Sequence, residues 1–169
     1  EKRLSCEDVP VLALLSVHLR ASLWHEIYAP ALTSLPFLQS CDTVDDKFIK
    51  NLCSEAVATK TVQPGEEIFA ARVPMSQAFQ LLNGCLHYTP LQDGSSIRGS
   101  VCRTATGAKI NSFQVGQQAW MCELALWTCW TTLGLAESVA SGELMLVTVS
   151  GLQEVLPYHQ RVGRIMQDY

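Results

Sequence analysis

The spacing of apolar residues changes near residue 60 of the chain. Before that point, apolar side chains recur every three or four positions, as they do on one face of a helix. Leu19, Leu23 and Ile27 form the first such stripe, and Ser16 is placed to act as its N-cap. This periodicity predicts that the N-terminal part of the chain is helical.

A second amphipathic helix is predicted over residues 43–58. Its apolar stripe consists of Val44, Phe48, Ile49, Leu52, Cys53 and Ala56. Asp42 or Thr43 suits the N-cap position, and Asp45 and Asp46 suit the positive end of a helix dipole.

Between residues 60 and 149 the apolar residues fall in short β-prone runs that turn signals separate. Strands are predicted at about 60–62, 67–70, 78–82, 85–89, 101–104, 110–115 and 143–149. Pro64-Gly65 predicts a tight turn, and Asn83-Gly84 predicts a two-residue hairpin. Many short strands with regular turns are typical of a small barrel or jelly roll.

Two segments do not follow this pattern of short strands. Glu123–Leu126 favours a short helical turn inside the roll, where unpaired N–H groups could form an anion site. Ser150 and Gln153 form a capping-box pattern that predicts terminal helices over 150–169. The predicted fold class is α+β: a helical linker, a β-roll (double-stranded β-helix or jelly roll, 60–149) with an inserted short helix, and C-terminal helices.

Composition and charge narrow the possible functions. Apolar residues make up 48% of the 169 residues, which is enough for a core. The net charge of −4 and the scattered basic residues disfavour a nucleic-acid partner. No apolar run reaches the roughly 18 residues of a transmembrane helix, so no direct span is expected in this piece. Because the first residue is Glu, we expect a piece of a longer protein.

The seven cysteines and four histidines are the candidates for metal or catalytic chemistry. No C-x-x-C pair occurs, which disfavours a zinc site and indicates free thiols in a reducing compartment. Only Cys122, at the start of the predicted short helix, is a candidate nucleophile. We therefore expect no enzyme activity, no catalytic residue and no metal site.

Four motifs in order resemble the cyclic nucleotide-binding domain family. Pro64-Gly65-Glu66-x-Ile68-Phe69 is similar to the family's first roll turn, and Phe79…Gly84 is similar to its aromatic–aliphatic–Gly hairpin. Gly116…Glu123-x-Ala125-Leu126 is similar to its phosphate-binding cassette, and the segment 150–156 is similar to the helix after its last strand.

The upstream segment resembles the C-linker of voltage-gated potassium and cyclic-nucleotide-gated channels. The resemblance lies in Ser16-Val17-x-Leu19-Arg20-x-x-Leu23-x-x-Glu26-x-Tyr28, followed by Leu35-Pro36-Phe37-Leu38. It implies C-linker-like helices at 1–40 and a cyclic nucleotide-binding-like domain at 41–169. It also implies a regulatory domain on the cytoplasmic side of a membrane, whose partners are its own transmembrane domain and the other subunits of a homo- or heterotetrameric cation channel.

The resemblance places a degenerate nucleotide pocket at seven residues: Cys122, Glu123, Leu124, Ala125, Cys129, Thr131 and Thr132. Ligand-binding members open the cassette with Gly-Glu and hold the cyclic phosphate with an Arg further along. Here Cys122 replaces that Gly, and Cys129 or a neighbour replaces that Arg. Arg72 also stands where many members have Gly. Because losing the charged contact weakens binding by about a hundredfold or more, we expect weak or no nucleotide binding, as in ether-à-go-go type channels.

Several alternatives remain open on the sequence alone. The chain could instead be a true cAMP or cGMP sensor of a channel or of a kinase regulatory subunit. Trp127 or Trp130 either fills the vacant pocket or belongs to the roll core. Glu123 either accepts a ribose hydroxyl or accepts backbone N–H groups. Thr131 and Thr132 either face a purine or are ordinary strand residues.

Overall fold

The computed structural model describes residues 14–91, 101–103 and 109–168. The α-helices are α1 (Val17–Leu32), α2 (Pro36–Val44), α3 (Phe48–Glu55), α4 (Val149–Val155) and α5 (Gln160–Asp168). Short 3₁₀ helices are described at Glu123–Leu126 and Leu156–Tyr158. The strands are β1 (Val57–Val62), β2 (Glu67–Phe69), β3 (Pro74–Met75), β4 (Gln77–Asn83), β5 (Leu86–Pro90), β6 (Val101–Arg103), β7 (Lys109–Asn111), β8 (Phe113–Val115), β9 (Trp120–Met121), β10 (Trp130–Thr131), β11 (Gly134–Ser138) and β12 (Gly142–Thr148).

Contacts between Cα atoms divide the chain into two compact units. The first contains the described residues up to Thr59 and from Leu146 onward, and the second is Lys60–Met145. The division predicted after residue 40 stays a prediction, and residues 1–13 of its first part lie outside the described residues. No described helix has the length and apolar character needed to cross a membrane.

Helix α1 of the first unit begins where the sequence predicts. The Ser16 hydroxyl accepts a hydrogen bond from the Leu19 N–H at 3.3 Å, so Ser16 is confirmed as the N-cap. The predicted apolar stripe is not the buried face, however. Leu19 and Ile27 are 60% and 46% exposed, while Tyr28 and Leu32 are buried in this helix, which packs against α3.

The helix predicted over 43–58 is shorter than expected, because α2 runs through Asp42 and Thr43 and ends at Val44. Neither residue is therefore the N-cap of α3. The backbone is extended at Asp45, whose Oδ1 accepts the Lys47 N–H at 3.1 Å. This local bond offers the backbone a turn in place of continued helix. The stripe within α3 is correct, since its buried residues are Phe48, Ile49, Leu52 and Cys53.

Helix α4 begins one position before the predicted capping box. Strand β12 ends at Thr148, whose hydroxyl accepts the Gly151 N–H at 3.2 Å and so caps the helix. Ser150 is already helical and is not the cap. The terminal helices expected over 150–169 are α4, a 3₁₀ turn that contains Pro157, and α5.

A buried histidine ties the segment before α5 to the α2–α3 turn. His159 is 4% exposed, and its Nδ1–H donates to Asp45 Oδ2 at 2.7 Å. Its Nε2 accepts from Asn51 Nδ2 at 2.9 Å, and its ring meets Phe48 edge-on at 5.5 Å. Both ring nitrogens of a buried imidazole are thus satisfied, as burial requires. The hydrogen bond from His159 also holds the pKa of Asp45 below its usual value.

The second unit consists mainly of antiparallel strands. One four-stranded sheet has the order β1-β12-β4-β9, and the other has the order β2-β11-β5-β8, with smaller pairs β10-β3 and β6-β7. Its buried apolar residues include Val62, Phe69, Ala78, Phe79, Leu81, Leu86, Ala136, Leu144 and Met145. Helices combined with antiparallel sheets of this kind confirm the predicted α+β class.

The two predicted turns have different outcomes. At Pro64-Gly65 the turn is confirmed, since Gly65 has a φ of 80° and the Glu66 N–H donates to the Gln63 carbonyl at 3.0 Å. Asn83-Gly84 is not a hairpin, because β4 and β5 belong to different sheets. The chain instead crosses between sheets at Gly84, where φ is 98° and a β-carbon would lie 2.8 Å from Gly142 Cα.

Four strands were not predicted, and their composition explains why. Strands β3, β9 and β10 contain two residues each, too few to show a period of two. Strand β11 alternates in burial, but its buried positions are Gly134, Ala136 and Ser138. Small inward side chains give no apolar signal. The predicted run 110–115 is divided at Ser112 into β7 and β8.

The approach of α4 to the end of α3 predicts a steric effect at Gly151. A β-carbon there would lie 2.5 Å from Ala56 Cα and 2.6 Å from the Glu55 carbonyl oxygen. Gly151→Ala should therefore lower the free energy of unfolding by about 1–3 kcal/mol. Gly163→Ala is the control, because nothing lies within 4 Å of a β-carbon in α5, and it should stabilise by about 0.5–1 kcal/mol. Chemical denaturation measures both, and equal effects would contradict this packing.

The bond between Asp45 and His159 predicts a pH-dependent contribution to stability. The pKa of Asp45 is lowered in the folded state, so its contribution is complete above the unfolded value of about 3.9 and is lost as pH falls through the folded pKa. At pH near 7, Asp45→Asn should reduce the melting temperature more than Asp46→Asn, which alters an exposed neighbour. Thermal melts should show this difference shrinking below about pH 4. A constant difference across that range would contradict the assignment.

Candidate functional site

The short helix expected inside the roll is present at Glu123–Leu126 and is a 3₁₀ helix. Its N-cap is Cys122, whose backbone is left-handed with φ 57° and ψ 26°. The Cys122 carbonyl accepts the Ala125 N–H at 2.9 Å. A non-glycine residue in this conformation costs about 1–2 kcal/mol, so the position is one that glycine suits better.

Arg72 has the same backbone feature, with a φ of 62°. Both positions at which this chain departs from an expected glycine, Arg72 and Cys122, therefore keep a left-handed backbone. Glycine adopts this backbone conformation at little cost, so the conformation at both positions is the one that the expected glycine would suit.

Thr132 holds the loop that contains Arg72. It is 1% exposed, and its hydroxyl donates to the Ala70 carbonyl at 2.6 Å and accepts the Val73 N–H at 2.9 Å. Its main chain adds two bonds, since the Arg72 N–H donates to its carbonyl at 2.8 Å and its N–H donates to the Val73 carbonyl at 3.0 Å. Thr132 is thus a buried threonine that follows β10 and whose polar groups are satisfied by the protein.

A cavity of about 430 Å³ lies beside Cys122 in the second unit. Its aromatic lining consists of Phe69, Tyr88, Trp120 and Trp130. The other lining residues are aliphatic, sulfur-bearing, neutral polar or glycine. Among the described residues, no lysine, arginine or carboxylate lines this cavity.

The Cys122 thiol is a poor nucleophile in this setting. Burial raises its pKa to about 11, although a side-chain hydrogen bond with Trp130 acts in the opposite direction. Burial likewise raises the pKa of Tyr88, and the neighbouring Cys122 adds to that shift. Because the thiolate is the reactive form, only about one Cys122 in ten thousand is reactive near pH 7. This argues against the one nucleophile that the sequence offered.

The structure brings only part of the predicted site to the cavity. Cys122 and Thr132 line it. Ala125 is buried in the 3₁₀ helix. The remaining predicted residues are exposed and lie outside the lining: Glu123, Leu124, Cys129 and Thr131. The Glu123 carboxylate makes no hydrogen bond or ion pair with a described residue, so the backbone N–H contact proposed for it is not seen within the described chain.

The structure also distinguishes the two tryptophans whose role the sequence left open. Trp130 lines the cavity, whereas Trp127 does not. Trp120 is a further lining residue that the sequence did not suggest. It belongs to β9, which pairs with β4 through Gln80 and Trp120. A two-residue strand carries no local signal, so this wall could only have been inferred from strand pairing.

The described residues contain no cluster of three histidine, cysteine or acidic side chains that could hold a metal ion. The five cysteines of the described ranges whose state is defined are free thiols: Cys41, Cys53, Cys85, Cys122 and Cys129.

Comparison with known proteins identifies the fold. No protein-family model and no curated protein matches the sequence. A cyclic nucleotide-binding-like protein from Brucella abortus bv. 1 str. 9-941 is similar over 76% of this chain and 96% of its own, with 17% identity and a TM-score of 0.59. The N-terminal domain of a transcriptional regulator from Streptomyces coelicolor A3(2) is similar over 82% of this chain and 85% of its own, with 16% identity and a TM-score of 0.61. The chain therefore has a cyclic nucleotide-binding-like fold, which confirms the predicted β-roll architecture.

Two adjacent threonines allow a matched test of the site's framework. Thr132→Val leaves the Val73 N–H without its side-chain acceptor and removes the bond to Ala70, so it should destabilise by about 1–3 kcal/mol. Thr131→Val changes an exposed neighbour and should stay within about 0.5 kcal/mol. Urea denaturation of both variants measures the difference. A Thr132→Val protein as stable as Thr131→Val would show that the hydroxyl is not structural.

Proposed function

We propose that this chain is a cytosolic regulatory domain of a tetrameric voltage-gated potassium channel, and that its nucleotide cavity binds cyclic nucleotides weakly or not at all. The cyclic nucleotide-binding-like fold supports a regulatory role, because this roll is a ligand-sensing scaffold in proteins that the sequence resembles. The channel context rests on the resemblance of residues 16–38 to a C-linker.

The observation that carries the proposal is the uncharged lining of the roll cavity. A cyclic phosphate carries a full negative charge, and moving it out of water needs a charged or multiply hydrogen-bonded partner. The described lining offers aromatic rings and neutral groups instead. Leaving that charge unpaired would weaken binding by about a hundredfold or more relative to a site with an arginine.

The side chains around the cassette favour an apolar occupant or none. Cys122 places a thiol where a glycine would leave space, and Trp130 lines the same wall. Glu123 is exposed and lies outside the lining, so it cannot bond a ribose held in this cavity without a change of conformation. The cassette thus keeps its backbone while its polar contacts to a nucleotide are missing.

The exposed apolar residues of α1 support the proposal that this helix contacts other subunits. Leu19 and Ile27 are both exposed on this helix, and exposed large apolar side chains often mark interaction surfaces. We assign that surface to neighbouring subunits of a homo- or heterotetramer. Regulation would then be mechanical: a shift of the terminal helices against α1–α3 biases the pore between its states.

Isothermal titration of the 169-residue chain with cAMP and with cGMP tests the proposal. We expect no saturable heat below about 1 mM ligand, which corresponds to about −4 kcal/mol of binding free energy. Micromolar affinity for either nucleotide would instead favour the alternative, a true cyclic-nucleotide sensor of a channel or kinase regulatory subunit.

A matched pair of leucine variants tests whether charge is the missing component. Leu133 lines the cavity and is 62% exposed, while Leu124 is exposed outside the lining. Leu133→Arg should bind cAMP at least about tenfold more tightly than the parent chain, because it adds one charge-assisted contact. Leu124→Arg adds the same charge elsewhere and should not. If both variants behave alike, the absent cation is not the reason for weak binding.

A further inference from the structure

The described part of the first unit gathers its N-terminal cations in one place. Between residues 14 and 59 the chain contains three lysine or arginine residues, Arg20, Lys47 and Lys50. All three line a single groove of about 540 Å³ between α1 and α3. The same stretch contains five acidic residues, of which only Glu55 lines the groove. A segment that is acidic overall therefore presents a locally positive groove.

The charges of these cations are not used in ion pairs among the described residues. None of the three forms an ion pair with a described carboxylate. Lys50 Nζ donates to the Ser22 hydroxyl at 3.2 Å, which is a neutral partner. Glu55 is the one acidic residue among these three cations in the lining, so like charges in the groove outnumber their counter-charge and repel one another. A bound anion would relieve that repulsion. A purely structural role for these residues does not explain why the three cations lie together.

The remaining lining suits a polar anion better than an apolar ligand. Asn51 and Ser54 provide neutral hydrogen-bonding groups on α3, and Trp24 provides an aromatic surface on α1. Asn51 is fixed in place because its Nδ2 donates to the buried His159 ring at 2.9 Å. The groove thus combines neutral polar groups with three cationic side chains.

We propose that this groove binds an anion that carries phosphate groups. Phosphate offers several oxygens and more than one negative charge, which matches the fork of one guanidinium and the point charges of two ammonium groups. A carboxylate has too few oxygens to engage all three cations. The phosphate can belong to a soluble polyphosphate or to a lipid headgroup, since both present the same chemistry to the groove.

Tryptophan fluorescence and isothermal titration with sodium tripolyphosphate measure binding by the full 169-residue chain. We expect saturable binding that weakens as salt is raised, because exposed charges are screened. Arg20→Gln, Lys47→Gln and Lys50→Gln should each weaken it by about tenfold. Lys60→Gln is the control: Lys60 pairs with Glu66 at 2.8 Å and lies outside the groove, so this variant should bind like the parent chain.

Flotation with phosphatidylcholine vesicles, with or without a phosphoinositide, distinguishes the two sources of phosphate. Binding to phosphoinositide vesicles that Lys47→Gln reduces assigns a lipid headgroup. Binding of tripolyphosphate without vesicle binding assigns a soluble ligand. The proposal is overturned if neither probe binds, or if the triple variant, with an unchanged circular dichroism spectrum and melting temperature, binds as the parent does.

Discussion

The candidate site depends on one short stretch, β10 and the threonine that follows it. The Trp130 side chain in this stretch forms a hydrogen bond with the Cys122 side chain. Thr132 makes four hydrogen bonds to the loop from Ala70 to Val73. These contacts surround Arg72 and Cys122, two of the three described non-glycine residues that have a positive φ. Such a conformation persists only where its surroundings determine it. The shape of the cavity is therefore maintained by bonding from β10 rather than by glycine at the strained positions.

Backbone shape and charge are separable requirements for binding an anion, and this chain illustrates the difference. Its roll keeps the 3₁₀ helix and a cavity of about 430 Å³, yet the described lining is uncharged. A helix terminus supplies only partial charges that act over a single turn, and a buried phosphate needs more than that. In the first unit, three unpaired cations line a groove without any cassette. The fold of the backbone therefore does not by itself show where cationic side chains are gathered.

The sequence predicted elements whose signals are local. The α3 stripe, the Pro64-Gly65 turn and the 3₁₀ helix each follow from a few neighbouring residues, and each is present. The features it missed depend on distant partners. Gly84 suits a hairpin locally, but its close approach to Gly142 places it at a crossing between sheets. Strand β11 could not be predicted because its inward residues are small, and the exposure of Leu19 depends on which face of α1 packs against α3.

Only part of the predicted site lines the cavity, because a motif specifies a path for the backbone and not the direction of each side chain. A 3₁₀ helix turns by about 120° per residue, so Glu123, Leu124 and Ala125 point in three directions, and only Ala125 is buried. Successive strand residues alternate between faces, which exposes Thr131 and buries Thr132. Side chains that point away from the cavity cannot contact a ligand in it, while Tyr88 lines it from β5, a strand distant in sequence from the cassette. Assigning ligand contacts in a divergent roll therefore requires the strand register as well as the cassette motif.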